Sequence, residues 1–183
     1  MRFVIVPGIG GSDSFHWQSI WQAEWGPIAS RIEPASWTAP DAADWIAAVD
    51  RAITEAGTSD VVLVAHSLGC WAAAGWLAEA QRSVRGAFLV APPDPDGPEF
   101  PAAAASFADL TPAPVGVPGL VVASLDDPYC RPGAAAALAR GWGLPVSRVG
   151  AYRHLNSASG IGGWQQGRVL LAKLLGSTAT AVA

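Results

Sequence analysis

Apolar residues gather in two kinds of segment that alternate along the chain. Short aliphatic runs at residues 2–7, 31–34, 60–65, 86–91, 119–124 and 146–152 have the length of strands. The third, fourth and fifth are continuous in Val, Leu and Ala, with no polar alternation, as in parallel strands covered on both faces. Between the runs, apolar positions recur at helical spacing. Residues 41–56 set Trp45, Val49, Ala52, Ile53 and Ala56 on one face and stop at Gly57. Leu68, Trp71, Ala72, Gly75 and Trp76 continue straight on from the third strand. Two further helices span 134–140 and 164–175, ending at Gly141 and Gly176, and another is expected near 102–110 inside the Pro- and Ala-rich stretch 91–118. Strands alternating with helices imply right-handed βαβ units, hence a parallel sheet with helices on both faces. One α/β domain is expected over residues 1–176, with 177–183 as a flexible tail.

Composition narrows the function classes. Half of the 183 residues are apolar and only 14% are charged, so the chain is long and hydrophobic enough for a full core. The net charge of −4, with no basic run, argues against a nucleic-acid partner. No apolar run approaches the ~20 residues of a membrane span. The chain opens directly on a strand, with no small-residue cleavage site of a signal peptide. Cys70 and Cys130 are too few for a disulfide framework, and no Cys/His cluster implies a metal. A reduced, cytoplasmic protein without cofactor is therefore expected.

The chemistry gathers at strand ends. The run Val61-Val62-Leu63-Val64-Ala65-His66 stops at Ser67, and a helix pattern begins at Leu68. This strand–serine–helix junction is the setting of a nucleophile elbow, with Ala65 and Gly69 as the small residues that the tight turn demands. Capping the helix is the plainer role for such a serine. The fifth strand delivers Asp126 and Asp127 to its C-terminal end, and the sixth is followed by Arg153-His154. Ligands of open α/β sheets bind at those ends. Ser67, then Asp126 or Asp127, then His154 is also the chain order of α/β-hydrolase triads. The first strand runs into Pro7-Gly8-Ile9-Gly10-Gly11-Ser12, a loop placed to supply an oxyanion hole from the backbone amides of Ile9 and Leu68. The same glycines lack the spacing of a dinucleotide-binding fingerprint.

These stretches, together with His16-Trp17-Gln18, Trp21, Val90-Ala91-Pro92-Pro93, Asp127-Pro128-Tyr129-Cys130 and His154-Leu155-Asn156, span nearly the whole chain. In combination the chain resembles the small serine hydrolases that include the YdeN-like proteins and the retinoblastoma-binding serine hydrolase. The resemblance implies a minimal α/β-hydrolase, six parallel strands in the order 2-1-3-4-5-6 without a large cap domain. It also implies that Asp127, directly before Pro128, is the triad acid. The chain departs from the family pattern at Arg153, where glycine commonly precedes the histidine.

Gly10, His16, Trp17 and Asn156 are candidates for pocket lining, with packing the alternative for Trp17 and pinning of the histidine loop for Asn156. His66 is expected to be structural, since period-2 alternation turns it away from Ser67. Phe100, Phe107 and Leu110 are expected to furnish one wall of a shallow pocket. The expected activity is cleavage of a small carboxylic ester or related acyl bond, with a small acyl compound as partner and neither nucleic acid nor membrane. A triad amidase, thioesterase or C–C hydrolase is the first alternative. A non-catalytic interaction module on the same scaffold is the second, and a protein partner is left open.

Overall fold

The computed structural model describes residues 1–79 and 82–180. Its elements run β1 (Arg2–Val6), α1 (Trp17–Trp25), β2 (Ala29–Arg31), α2 (Ala42–Ala56), β3 (Val61–His66), α3 (Leu68–Glu79), β4 (Gly86–Val90), α4 (Ala105–Ala108), β5 (Gly119–Ala123), α5 (Pro132–Gly141), β6 (Val146–Arg148) and α6 (Gln165–Thr180). The six strands form one all-parallel sheet in the order β2-β1-β3-β4-β5-β6. Ile5 pairs with Val64 and Val64 with Phe88, so the central strands end level with one another.

Alternation along each strand builds two cores. Val4, Val6, Leu63 and Ala65 face α2, α3 and α5, while Phe3, Ile5, Val62 and Val64 face α1 and α6. Both faces of β3 and β4 are therefore buried, which is why these segments carry no polar alternation. The first core holds Trp45, Trp71 and Trp142; the second holds Trp17, Trp21 and Trp164, with ring centroids 4.7–6.1 Å apart. Each fully buried large side chain contributes about 1.5–3 kcal/mol of transfer free energy. Helix α3 is buried nearly all round, as befits a helix sandwiched between the sheet and α2.

Several boundaries differ from the sequence reading. Helix α1 was not expected, although Trp17, Trp21 and Trp25 recur every four residues. Strand β2 is Ala29–Arg31, earlier than 31–34; an edge strand that is only half covered needs no apolar run. Strand β6 stops at Arg148 because Gly150, at φ +86°, turns the chain off the sheet. The helix expected over 102–110 is a 3-10 turn, Ala102–Ala104, followed by the short α4. Helix α6 runs through Gly176 to Thr180 in its backbone; the remaining tail residues, 181–183, lie outside the described residues. Among the described residues, no helix is long and apolar enough to cross a membrane.

Candidate active site

Ser67 occupies the one-residue turn between β3 and α3 at φ +54°, a conformation that costs a non-glycine residue energy. Its amide donates to the Val90 carbonyl of the neighbouring strand (2.9 Å), which holds the elbow in place. The end of β1 presses on this turn from the side. A Cβ on Gly8 would lie 2.7 Å from Ser67 Cβ, and one on Gly69 would collide with the carbonyl oxygens of Val6 and Pro7. Since neither backbone can retreat, Gly69→Ala is expected to destabilise the protein by at least ~2 kcal/mol. Urea unfolding measures this, and an unchanged midpoint would refute the contact.

His154 stands on the loop after β6. Its Nδ1–H donates to both oxygens of Asp127 (3.0 Å each), and its Nε2 accepts the Ser67 hydroxyl (2.8 Å). Asp127 also accepts the Tyr129 amide at 2.9 Å, and the Tyr129 ring lies 4.5 Å from the imidazole. Asp127 and His154 are 6% and 8% exposed, so water competes little for these bonds. The Ser67–His154–Asp127 chain thus joins the three sequence-predicted residues from the ends of β3, β5 and β6.

The histidine loop is held by residues that the sequence reading assigned no such part. Arg153 and Leu155 flank His154 at φ +50° and +51°, an unfavourable pair for side chains with a Cβ. Four consecutive backbone groups compensate. The Tyr152 amide donates to Ser124 Oγ (2.9 Å) and the Arg153 amide to Asp126 Oδ1 (2.7 Å). The His154 carbonyl accepts His66 Nε2–H (2.9 Å), and the Leu155 carbonyl accepts Trp17 Nε1–H (2.9 Å). Asp126 therefore pins the left-handed turn that glycine would make unaided, which answers the departure at Arg153. The Ser124 hydroxyl, with help from the Arg153 amide, holds the Asp126 carboxyl below its ordinary range. His66 is buried, and burial pushes it far below the usual histidine value, so it acts as a neutral donor.

The loop after β1 is similarly fastened. Gly11 N–H closes back on the Gly8 carbonyl (3.1 Å), with Gly10 at φ +82° inside the turn, a position suited to glycine. Arg31 donates to the Gly11 and Ser12 carbonyls and to Ser19 Oγ, while Ser12 Oγ donates to Gln18 (2.8 Å). Inside this frame the Ile9 amide donates to no group among the described residues. The Leu68 amide, first in α3, has no intrahelical acceptor. Both residues line a cavity of about 570 Å³ over Ser67.

Gly10, His16 and Asn156 also line that cavity. Trp17 does not: it is fully buried in the second core, so its place is packing and the bond to Leu155. Asn156 and Ser159 bond each other across the 3-10 turn Ser157–Ser159, shaping the loop after His154. Phe107 is buried against Trp45 and Phe100 packs on the same core, while Leu110 lies by the groove between α2 and α3. The apolar wall at Ser67 is instead Pro93, Pro101 and Tyr129, and the expectation for Phe100, Phe107 and Leu110 is corrected. Cys70 and Cys130 are free and buried; burial raises the first and pushes the second up to about 12, which suppresses the reactive thiolate. Among the described residues, no group of three or more His, Cys, Asp or Glu is placed to hold a metal.

Among solved structures, the chain is similar to a YdeN-like hydrolase from Pectobacterium atrosepticum at 31% identity and TM-score 0.85, covering 97% of this chain and 91% of that one. It is also similar to the YdeN product of B. subtilis, at 20% identity and TM-score 0.77 over 96% of this chain and 100% of that one. Est1E from Butyrivibrio proteoclasticus, with ferulic acid bound, is similar at 10% identity and TM-score 0.72 over 99% and 89%. At those lower identities the last two show the fold alone. A search of curated proteins gave no match. The sequence pattern described as serine hydrolase matches residues 3–173, nearly the full length, and this chain accordingly belongs to the serine hydrolase family and is a hydrolase.

Proposed function

We propose that this hydrolase cleaves a small carboxylic ester or related acyl bond through an acyl-enzyme on Ser67. The observation that carries the reading is the unbroken hydrogen-bond chain Ser67–His154–Asp127, lying beside two unspent amides at Ile9 and Leu68. Ser67 Oγ attacks the acyl carbon while its proton passes to His154 Nε2. Negative charge moves onto the carbonyl oxygen, where the Ile9 and Leu68 amides meet it; each such donor is typically worth ~3 kcal/mol. Collapse breaks the bond to the leaving group, which takes the proton from His154. Water then attacks the acyl-enzyme with His154 as base, releasing the carboxylic acid and restoring the serine. Asp127 fixes the imidazole tautomer and stabilises its cation. A reducing, cytoplasmic setting suits the two buried free thiols.

The substrate is expected to be small. Only residues 91–118 separate β4 from β5, and the start of that stretch is fastened down beside the site. Trp71 Nε1–H donates to the Pro93 carbonyl (3.0 Å), and the Asp94 amide to the Tyr129 carbonyl (2.9 Å). This leaves too little chain for a deep lipid tunnel. Acetyl to butyryl esters are expected to show higher kcat/KM than decanoyl esters, with no activation at a lipid–water interface. A kcat/KM that climbs through ten carbons, or a jump in rate above the solubility limit, would refute the small site. Matched ester, amide and thioester substrates then rank the acyl bond.

A further inference from the structure

The chain contains three histidines, and the fold brings all three together. The His16 and His66 rings meet edge to face with centroids 4.6 Å apart, and His66 and His154 lie 4.9 Å apart. All line the cavity over Ser67. His154 uses both ring nitrogens in the chain to Asp127 and Ser67, and His66 spends its N–H on the His154 carbonyl. His16 is different. Its Nδ1 accepts the Gln18 amide (3.2 Å), capping α1, and this places the single proton of the neutral ring on Nε2. That Nε2–H is enclosed, on a residue 3% exposed, and has no hydrogen-bond partner among the described residues. Burial pushes the ring down to about 4, so it is neutral around pH 7 and remains a donor at that position.

Buried polar groups are rarely left unpaired. Helix capping does not explain this one, because serine, aspartate or asparagine would cap α1 without leaving an N–H behind. The other two unpartnered buried nitrogens, Arg85 Nε and Trp164 Nε1, belong to residues that line no part of this cavity. We propose that His16 Nε2–H binds the substrate by donating to an oxygen on it, in the lobe between the loop after β1 and the histidine loop. The substrate class is then an uncharged ester bearing a hydroxyl, ether or carbonyl oxygen besides the scissile group, rather than a plain alkyl ester. This lobe is walled by Ser12, Asp13, Asn156 and Ser157, and Ser157 Oγ lies 2.8 Å from both Asp13 oxygens, tying the two loops together. Asp13 is held ionised by that hydroxyl, and among the described residues no Lys or Arg lines the cavity, so an anionic substrate group would meet repulsion from Asp13.

The inference rests on the serine-hydrolase reading of Ser67, and its test separates the two. kcat/KM is measured for two matched pairs: butanoyl against 3-hydroxybutanoyl esters of one alcohol, and propyl against 2-hydroxyethyl esters of one acid. The wild type is expected to favour the oxygenated member of at least one pair by about tenfold, one hydrogen bond in a desolvated site. His16→Asn keeps a capping acceptor for α1 but is too short to place a donor where Nε2 stands. In it the preference is expected to fall to within about twofold of unity, chiefly through KM. His16→Leu should do the same. No oxygen preference in the wild type, or a preference that survives both substitutions, overturns the role of His16 while fluorophosphonate labelling of wild-type Ser67 keeps the hydrolase reading intact. Absence of that labelling overturns both.

Discussion

Ser67→Ala is expected to abolish fluorophosphonate labelling and to lower kcat by on the order of 10⁴-fold or more, because in the proposed mechanism attack and proton relay both begin at that oxygen. The fold should persist. Alanine has the same Cβ and meets the same positive φ, so thermal unfolding should differ little from the wild type. Ser67→Gly provides an internal control, since glycine adopts φ +54° without a Cβ penalty. That variant should be equally inactive yet more stable than Ser67→Ala, by about 1 kcal/mol. Labelling that persists in Ser67→Ala, or moves to Cys70 three residues along, would refute the assignment.

Asp127→Asn is expected to cost on the order of 10⁴-fold in kcat, since an amide facing Nδ1 favours the wrong imidazole tautomer. Asp126→Asn should cost no more than about tenfold. Its remaining carbonyl oxygen can still accept the Arg153 amide, so the turn before His154 keeps its anchor. Asp126→Ala removes that anchor and should fall between the two, with a lowered melting temperature as well. A larger loss from Asp126→Asn than from Asp127→Asn would reassign the triad acid.

Both results depend on adjacent carboxylates having separate tasks, and the sequence alone left those tasks open between them. Each aspartate lies at the end of β5, and the resemblance to small serine hydrolases, with Pro128 next in the chain, singled out Asp127. The task of Asp126 is visible only once the loop after β6 folds back, bringing the Arg153 amide onto it from 27 positions away. The expected wall of Phe100 and Phe107 failed for a related reason. Phe107 turns inward onto Trp45 of α2 and Phe100 packs on the same core, and no local pattern reports where α2 lies.

By itself the sequence determined the central parallel strands, their helical crossovers and the placing of Ser67 and His154 after strand ends. Those follow from local physics: unbroken apolar runs must be covered on both faces, and a strand that turns directly into a helix forces its junction residue outward. The tertiary structure decided helix α1, the edge strand β2 and the fastening of both active-site loops. Trp17 meets Leu155 across 138 positions, and His66 meets the His154 carbonyl across 88. Hydrogen bonds between such distant groups leave no periodicity behind. They exist only because the sheet, once formed, brings all its carboxyl ends to one edge.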